Sequence, residues 1–409
     1  MIKILKVVVF LFMLISCNEK KETITVKTSS TIESPALLGS KQPFLFTNEG
    51  QLVMSWTQKI NDSIHTLKFS TLNDGKWTLP IQIAKGDDWF VNWADFPAIA
   101  VNKDNILTHF LRKSDPATFA YDIHLKISNN NGKNWNDNFK LHTDTTKTEH
   151  GFVTLLPYKE DSFFVTWLDG RNTGGGSHGD EHSSNGAMNL RAATVLSTGS
   201  VIEDSLIDAK TCDCCQTSAA ITPKGPIVVY RDRTDNEVRD IYISRLLDGS
   251  WTIPKSIHND NWVINGCPVN GPKAATFNNT LAVAWFTAAD TIPKVNITFS
   301  NDSGKSFDSP IQIDNGKPIG RVDLALLDEN NALVSWMEST KDAAEIRVIR
   351  VNSNGSKQQP VVITELSAAR ASGFPQLELI NEIVYVAWNN IFDNQSTIKI
   401  KNIPLDAFK

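Results

Sequence analysis

One alternating strand pattern, often carrying an aromatic residue, recurs seven times in this chain of 409 residues. The copies are QLVMSWTQ (51–58), NILTHFLRK (105–113), SFFVTWLDGR (162–171), PIVVYRDR (226–233), TLAVAWFTA (280–288), ALVSWMES (332–339) and IVYVAWNN (383–390). With Trp56, Phe110, Trp167, Arg231, Trp285, Trp336 and Trp388 as equivalent marks, the steps are 54, 57, 64, 54, 51 and 52 residues. An all-strand repeat of this length is the pattern of a β-propeller. Nothing between the copies offers a ten-residue apolar helix face or a linker, so an all-β chain with a single domain over 23–409 is expected.

Each repeat divides alike. A small-residue strand comes first, as in FPAIAVN (96–102), TSAAITP (217–223) or GPKAATFN (271–278), and suits the crowded axis. The aromatic strand follows, then a third such as DIHLKIS (122–128) or VNITFS (295–300), then a fourth beyond a glycine turn. The last repeat stops after STIKIKNI (396–403), and TITVKTS (23–29) is expected to close the ring as its fourth strand. Seven sets argue for seven blades. A six-bladed ring would require one set to be something else, the weakest being Asn105 to Lys113.

The N-terminus MIKILKVVVFLFMLISC has two lysines, an apolar run and a small residue before Cys17, which is the layout of a secretory signal. The run is too short for a spanning helix, which needs about 20 apolar residues. LISC resembles the lipobox of bacterial lipoproteins. That resemblance implies a signal peptide over 1–17, lipidation of Cys17, a tether over 18–22 and a lipid-anchored place in the bacterial cell envelope, periplasmic or on the outer-membrane surface. An ordinary signal peptide ending in cysteine is the alternative. A net charge of −5 without a basic run argues against nucleic acid, and membrane contact is expected through the lipid alone.

Propeller topology sends the loops entering the first strands, and those leaving the second strands, to one face. On that face fall Asp95, His150, the cysteines of TCDCCQTSAA (Cys212, Cys214, Cys215), Cys267, Arg321, Asp169, Arg171, Arg231, Arg233 and Arg239. Cys267 precedes the first strand next to that of the three-cysteine cluster, so the four thiols are expected within disulfide reach. Two disulfides in an oxidising compartment are one reading. The other is a copper or zinc site of thiolates, joined by His150 or by His178 and His182 of the long loop NTGGGSHGDEHSSNG (172–186). No cofactor is needed on the first.

SNDSGKSF (300–307) fits the S-x-D-x-G-x-x-[WF] Asp-box, SNNNGKNW (128–135) departs from it only at Asn130, and LNDGKWT (72–78) and LLDGSWT (246–252) are shortened relatives. With the repeats and the arginines of that face, the chain resembles the sialidase (neuraminidase) superfamily, and more narrowly exported bacterial sialidase-like proteins carrying CDCCQT and GCPVNGP. Sialidases hold a carboxylate with three arginines and use a tyrosine–glutamate nucleophile and an aspartate acid/base. The family's first arginine is missing, since Ser34-Pro35-Ala36 stands in its place. The resemblance implies a glycoside hydrolase or glycan-binding protein for anionic glycans. Arg171, Arg231, Arg233, Arg239 and Arg321 would form the anion clamp, and Asp95 and Asp169 are the candidate acids. A non-catalytic glycan- or protein-binding lipoprotein and a metal site on the cysteines are the alternatives.

Overall fold

The computed structural model describes residues 30–174, 186–393 and 395–409. The expected strands group into seven antiparallel sheets. Blade 1 is Ser40–Asn48, Gln51–Lys59, His65–Asn73 and Ile81–Gly86; blade 2 is Ile99–Asn102, Asn105–Lys113, Tyr121–Ser128 and Phe139–Lys140. Blade 3 is His150–Tyr158, Ser162–Asp169, Met188–Leu196 and Val201–Thr211; blade 4 is Ser218–Thr222, Gly225–Arg231, Ile241–Leu247 and Lys255–Ser256. Blade 5 is Lys273–Phe277, Thr280–Thr287, Lys294–Ser300 and Ile311–Gln312; blade 6 is Pro318–Leu326, Asn331–Ser339, Ala344–Asn352 and Val361–Leu366. Blade 7 is Gln376–Ile380, Ile383–Phe392 and Gln395–Pro404, completed by Ser30–Ile32. The first strands of successive blades lie side by side around a closed ring.

The ring therefore has seven blades, and Asn105–Lys113 is a full second strand. Closure at the N-terminus also holds. The closing residues are Ser30–Ile32, paired with Asn402, Lys401 and Ile400; the expected strand over 23–29 lies outside the described residues.

The recurrent aromatic has a physical reason. Second strands are covered on both faces, and every residue of Ser162–Asp169 and Thr280–Thr287 is buried. Trp56, Trp167, Trp285 and Trp336 are among the largest fully buried side chains and pack between blades. Three bury their indole N–H against a carboxylate: Trp167 on Asp169 (2.9 Å), Trp285 on Asp260 (2.7 Å) and Trp336 on Glu338 (2.6 Å). In blade 4 the mark is Arg231, and Trp262 from the following loop supplies the ring, 4.8 Å beneath the guanidinium. The Asp-box turns are local brackets. Asp302 Oδ1 accepts from Ser300 Oγ (2.8 Å) and the Ser306 amide (2.9 Å), while Gly304 takes φ +78°.

Candidate functional site

The chain crosses from the outer edge of blade 3 to the axis of blade 4 through the cysteine segment. The Cys212 amide donates to the Arg231 carbonyl (3.1 Å) at the end of the blade 4 second strand. This turns the three thiols toward one another: their Sγ atoms all lie within 4.8 Å, with Cys212 and Cys215 at 3.4 Å. The exposed Cys267 meets the Cys214 thiol, as the neighbouring first strands require. All four are free thiols in the structure. Arg239 Nη1 donates to Cys212 Sγ (3.2 Å) and the Asn270 amide to Cys215 Sγ (3.4 Å). Against the effect of burial, hydrogen bonds from the Cys214 and Cys215 thiols and the Arg239 charge hold Cys212 well below the usual thiol range. Burial, with the neighbouring Cys212, Cys215 and Cys267, pushes the Cys214 thiol up.

The five arginines do not form one clamp. They divide among four sets of partners, because most guanidiniums are taken up by the scaffold. Arg171 forks onto Asp169 through Nε and Nη2, both 2.7 Å. Arg233 is held by Glu237 (2.9 Å) and Asp213 (3.0 Å), and Arg239 by Glu237 (2.6 Å) and Cys212. Arg231 is fully buried and donates only to carbonyls: Asn270 (3.0 and 2.9 Å), Arg239 (2.6 Å) and Phe286 (2.7 Å). Tyr230 is core, its hydroxyl donating to Asp208 (2.5 Å).

Asp95 and His150 belong to a buried network between blades 2 and 3. The Asp95 carboxylate accepts from the Phe152 amide (2.8 Å) and the Tyr121 hydroxyl (3.2 Å), and Tyr121 also bonds Glu149. Burial, with a smaller push from Glu149, raises Asp95 to about 8, so its carboxyl keeps a proton near neutrality. Beside it the rings of His142 and His150 stack at 3.8 Å. His142 Nδ1 meets Asp144 at 2.7 Å, while His150 Nε2 lies 3.2 Å from Asp144 and 3.5 Å from Asp169. Against burial, Asp144 and Asp169 raise His150 to about 9, whereas burial and the neighbouring His150 lower His142 to about 4. Asp169 is thus spoken for by Trp167, Arg171 and His150, and stays ionised. His150 stands in this network and not with the thiols; His178 and His182 lie outside the described residues.

The fifth arginine sits where sequence reasoning expected only part of the story. Arg321 lies inside the first strand of blade 6, at the irregularity between Gly320 and Asp323, with φ +54°, a strained value for a residue with a side chain. Its guanidinium carbon lies 5.0 Å over the Trp93 ring and 5.9 Å over Phe374, and its Nη1 donates to the Gly373 (2.9 Å) and Ala369 carbonyls (3.2 Å). Trp93 itself stacks on Phe374 at 5.7 Å and 18°. A second guanidinium, that of exposed Arg370, lies 5.9 Å over the same indole. Among the described residues no carboxylate pairs with either arginine. Burial and the like charge of Arg370 lower Arg321 to about 10. Sequence reading passed over Trp93 and Arg370; the signal for Trp93 was its place two residues before Asp95 in the loop entering blade 2.

No family model matches the chain, and no curated protein does. Among solved structures, it is similar to the polysaccharide lyase Uly1, with a TM-score of 0.54 and 10% identity over 94% of this chain and 100% of that one. A protein of unknown function from Dyadobacter fermentans matches with a TM-score of 0.52 and 13% identity over 93% of this chain and 98% of that one. The NanB sialidase from Streptococcus pneumoniae matches at 0.48 and 10%, over 88% of this chain and 84% of that one. At these identities the likeness is one of fold: a seven-bladed β-propeller, as in the polysaccharide lyase Uly1.

Proposed function

We propose that the chain binds an anionic glycan, one bearing carboxylate or sulfate, at the mouth formed by Trp93, Arg321 and Arg370. One observation carries the reading: two guanidiniums lie over one indole with no carboxylate partner among the described residues. Like charges so placed repel, and an anion between them removes the repulsion. A guanidinium fork matches a carboxylate or sulfate edge, and an indole gives the apolar face of a sugar ring a platform. In this reading the domain is exported and held at the bacterial envelope through Cys17.

The test is calorimetric titration with uronate-containing and sulfated oligosaccharides, on the parent protein, Arg370→Ala and Trp93→Ala. Arg370 is exposed, so its removal leaves the fold intact. A tenfold or greater loss of affinity in both variants is expected, since one charge-assisted contact contributes about 1.5–3 kcal/mol. Unchanged affinity in Arg370→Ala refutes the site.

A hydrolytic role is the second reading, favoured by the protonated Asp95 carboxyl two residues beyond Trp93 and beside Tyr121 and Glu149. A carboxyl kept neutral near pH 7 is what a general acid needs. Asp95→Asn then abolishes turnover of a bound glycan while binding persists. Binding without turnover in the parent protein leaves the non-catalytic reading standing.

A further inference from the structure

We propose that Cys212, Cys214 and Cys215 hold a thiophilic metal ion, cuprous copper on the three sulfurs or zinc with Cys267 as a fourth, independently of the glycan mouth. The first support is geometric. Sulfurs bound to one zinc at about 2.3 Å lie about 3.8 Å apart at tetrahedral angles. The three Sγ atoms are already within 4.8 Å of one another, and Cys267 adds a fourth at the Cys214 side. The half-buried Cys214 and the exposed Cys267 give the ion its route inward.

The second support is charge. Arg231 and Arg239 are both buried, and only Arg239 has a carboxylate, Glu237. Arg231 donates only to carbonyls and lies over an indole, and the Asp260 carboxylate reaches it through charge alone and not through a hydrogen bond. A buried cation without an anion is costly, so positive charge beneath the sulfurs favours anionic thiolates above it. Arg239 Nη1 takes up that role directly at Cys212. A disulfide sulfur is neutral and would leave Arg239 with Glu237 as its one hydrogen-bonded anion among the described residues.

The third support is the surrounding hydrogen bonds. Metal-bound thiolates are oriented by N–H donors in the outer shell, and here the Asn270 amide and Arg239 supply them. Asn270 also accepts from Arg231 through its carbonyl and from the Arg321 amide through Oδ1 (2.7 Å), so the donor is fixed by three elements. On binding, the ion replaces the protons remaining on the thiols, which leave to solvent; no oxidant is required.

The experiment uses the mature protein, reduced under anaerobic conditions and titrated with Cu(I) against a chromogenic chelator and separately with Zn(II). Stoichiometry is read by native mass and bonding by X-ray absorption. One ion per chain with sulfur-only scattering at about 2.2–2.3 Å is expected. Cys215→Ser lowers the affinity at least a hundredfold. Cys267→Ser separates the ions: a four-sulfur zinc site loses its affinity, whereas a three-sulfur copper site retains it. A parent protein that takes up neither ion stoichiometrically overturns the proposal whatever the variants do. So does a protein whose four cysteines are recovered as two disulfides that re-form in preference to metal binding.

Discussion

Arg231 tests most sharply whether the arginines of this face serve the ligand or the scaffold. Replacing it with alanine removes four donated hydrogen bonds and leaves three buried carbonyls, of Asn270, Arg239 and Phe286, without a donor. Each orphaned acceptor costs about 1–3 kcal/mol. Losing the guanidinium over Trp262 adds up to about 2 kcal/mol for a desolvated pair. The total is roughly 3–11 kcal/mol, on the scale of the whole stability of a folded domain. Arg231→Ala is therefore expected to lie largely unfolded at 37 °C, and Arg231→Lys to recover only part of the loss, because one ammonium cannot reach all three carbonyls. The assay is urea denaturation followed by tryptophan fluorescence, with ligand binding measured below the transition. A well-folded Arg231→Ala destabilised by less than about 1 kcal/mol, with glycan affinity lost, refutes the reasoning and makes Arg231 a ligand residue.

Three further outcomes are expected. The two stacked histidines are shifted in opposite directions, so the pair carries one positive charge between about pH 4 and pH 9. The His150 contribution to stability is complete below about 6.5 and is lost as pH rises through about 9, while protonating His142 costs stability as pH falls from about 6.5 toward 4; ring-proton NMR and the pH dependence of unfolding check both limbs, and His150→Gln removes the alkaline one. Gly271→Ala places a Cβ 2.0 Å from the Gln216 carbonyl oxygen and is expected to cost at least 1–3 kcal/mol while shifting the cysteine segment; faster labelling of Cys215 by a thiol reagent is the readout. Asp302→Ala removes the bracket of one turn and should cost about 1 kcal/mol with no change in ligand binding, measured by melting and titration together.

The fold was legible because propeller blades repeat their physics locally. Period-two alternation recurs in every blade and a buried tryptophan in the second strand of five of the seven, without reference to distant residues, and ring order then followed from chain order. The meeting of Cys267 with Cys214 was legible for the same reason, since adjacent first strands bring their preceding loops together. Partners of charged side chains were not. Asp169 read as a candidate acid, yet the i, i+2 register of Trp167 and Asp169, repeated by Trp336 and Glu338, marks it as an indole acceptor. Arg231 occupies a tryptophan register in its repeat, a sign of burial that its charge obscured. Arg370 and Trp93 come from opposite ends of the chain and meet only because the ring closes. His142 and Asp144 sit in a stretch without any period, and only the structure places them beside His150.

The seam in blade 7 has a mechanical consequence. Three residues, Ser30–Ile32, join the outermost edge of a blade whose other strands come from the C-terminal end, and they do so through three residue pairs. Ring continuity does not depend on that edge, because Gln376–Ile380 lies against Ser40–Asn48 at the axis. Tension arriving along the N-terminal segment thus meets the most peripheral strand of the molecule first. Held by three residue pairs at the rim, that strand is an edge that can detach without opening the ring of first strands.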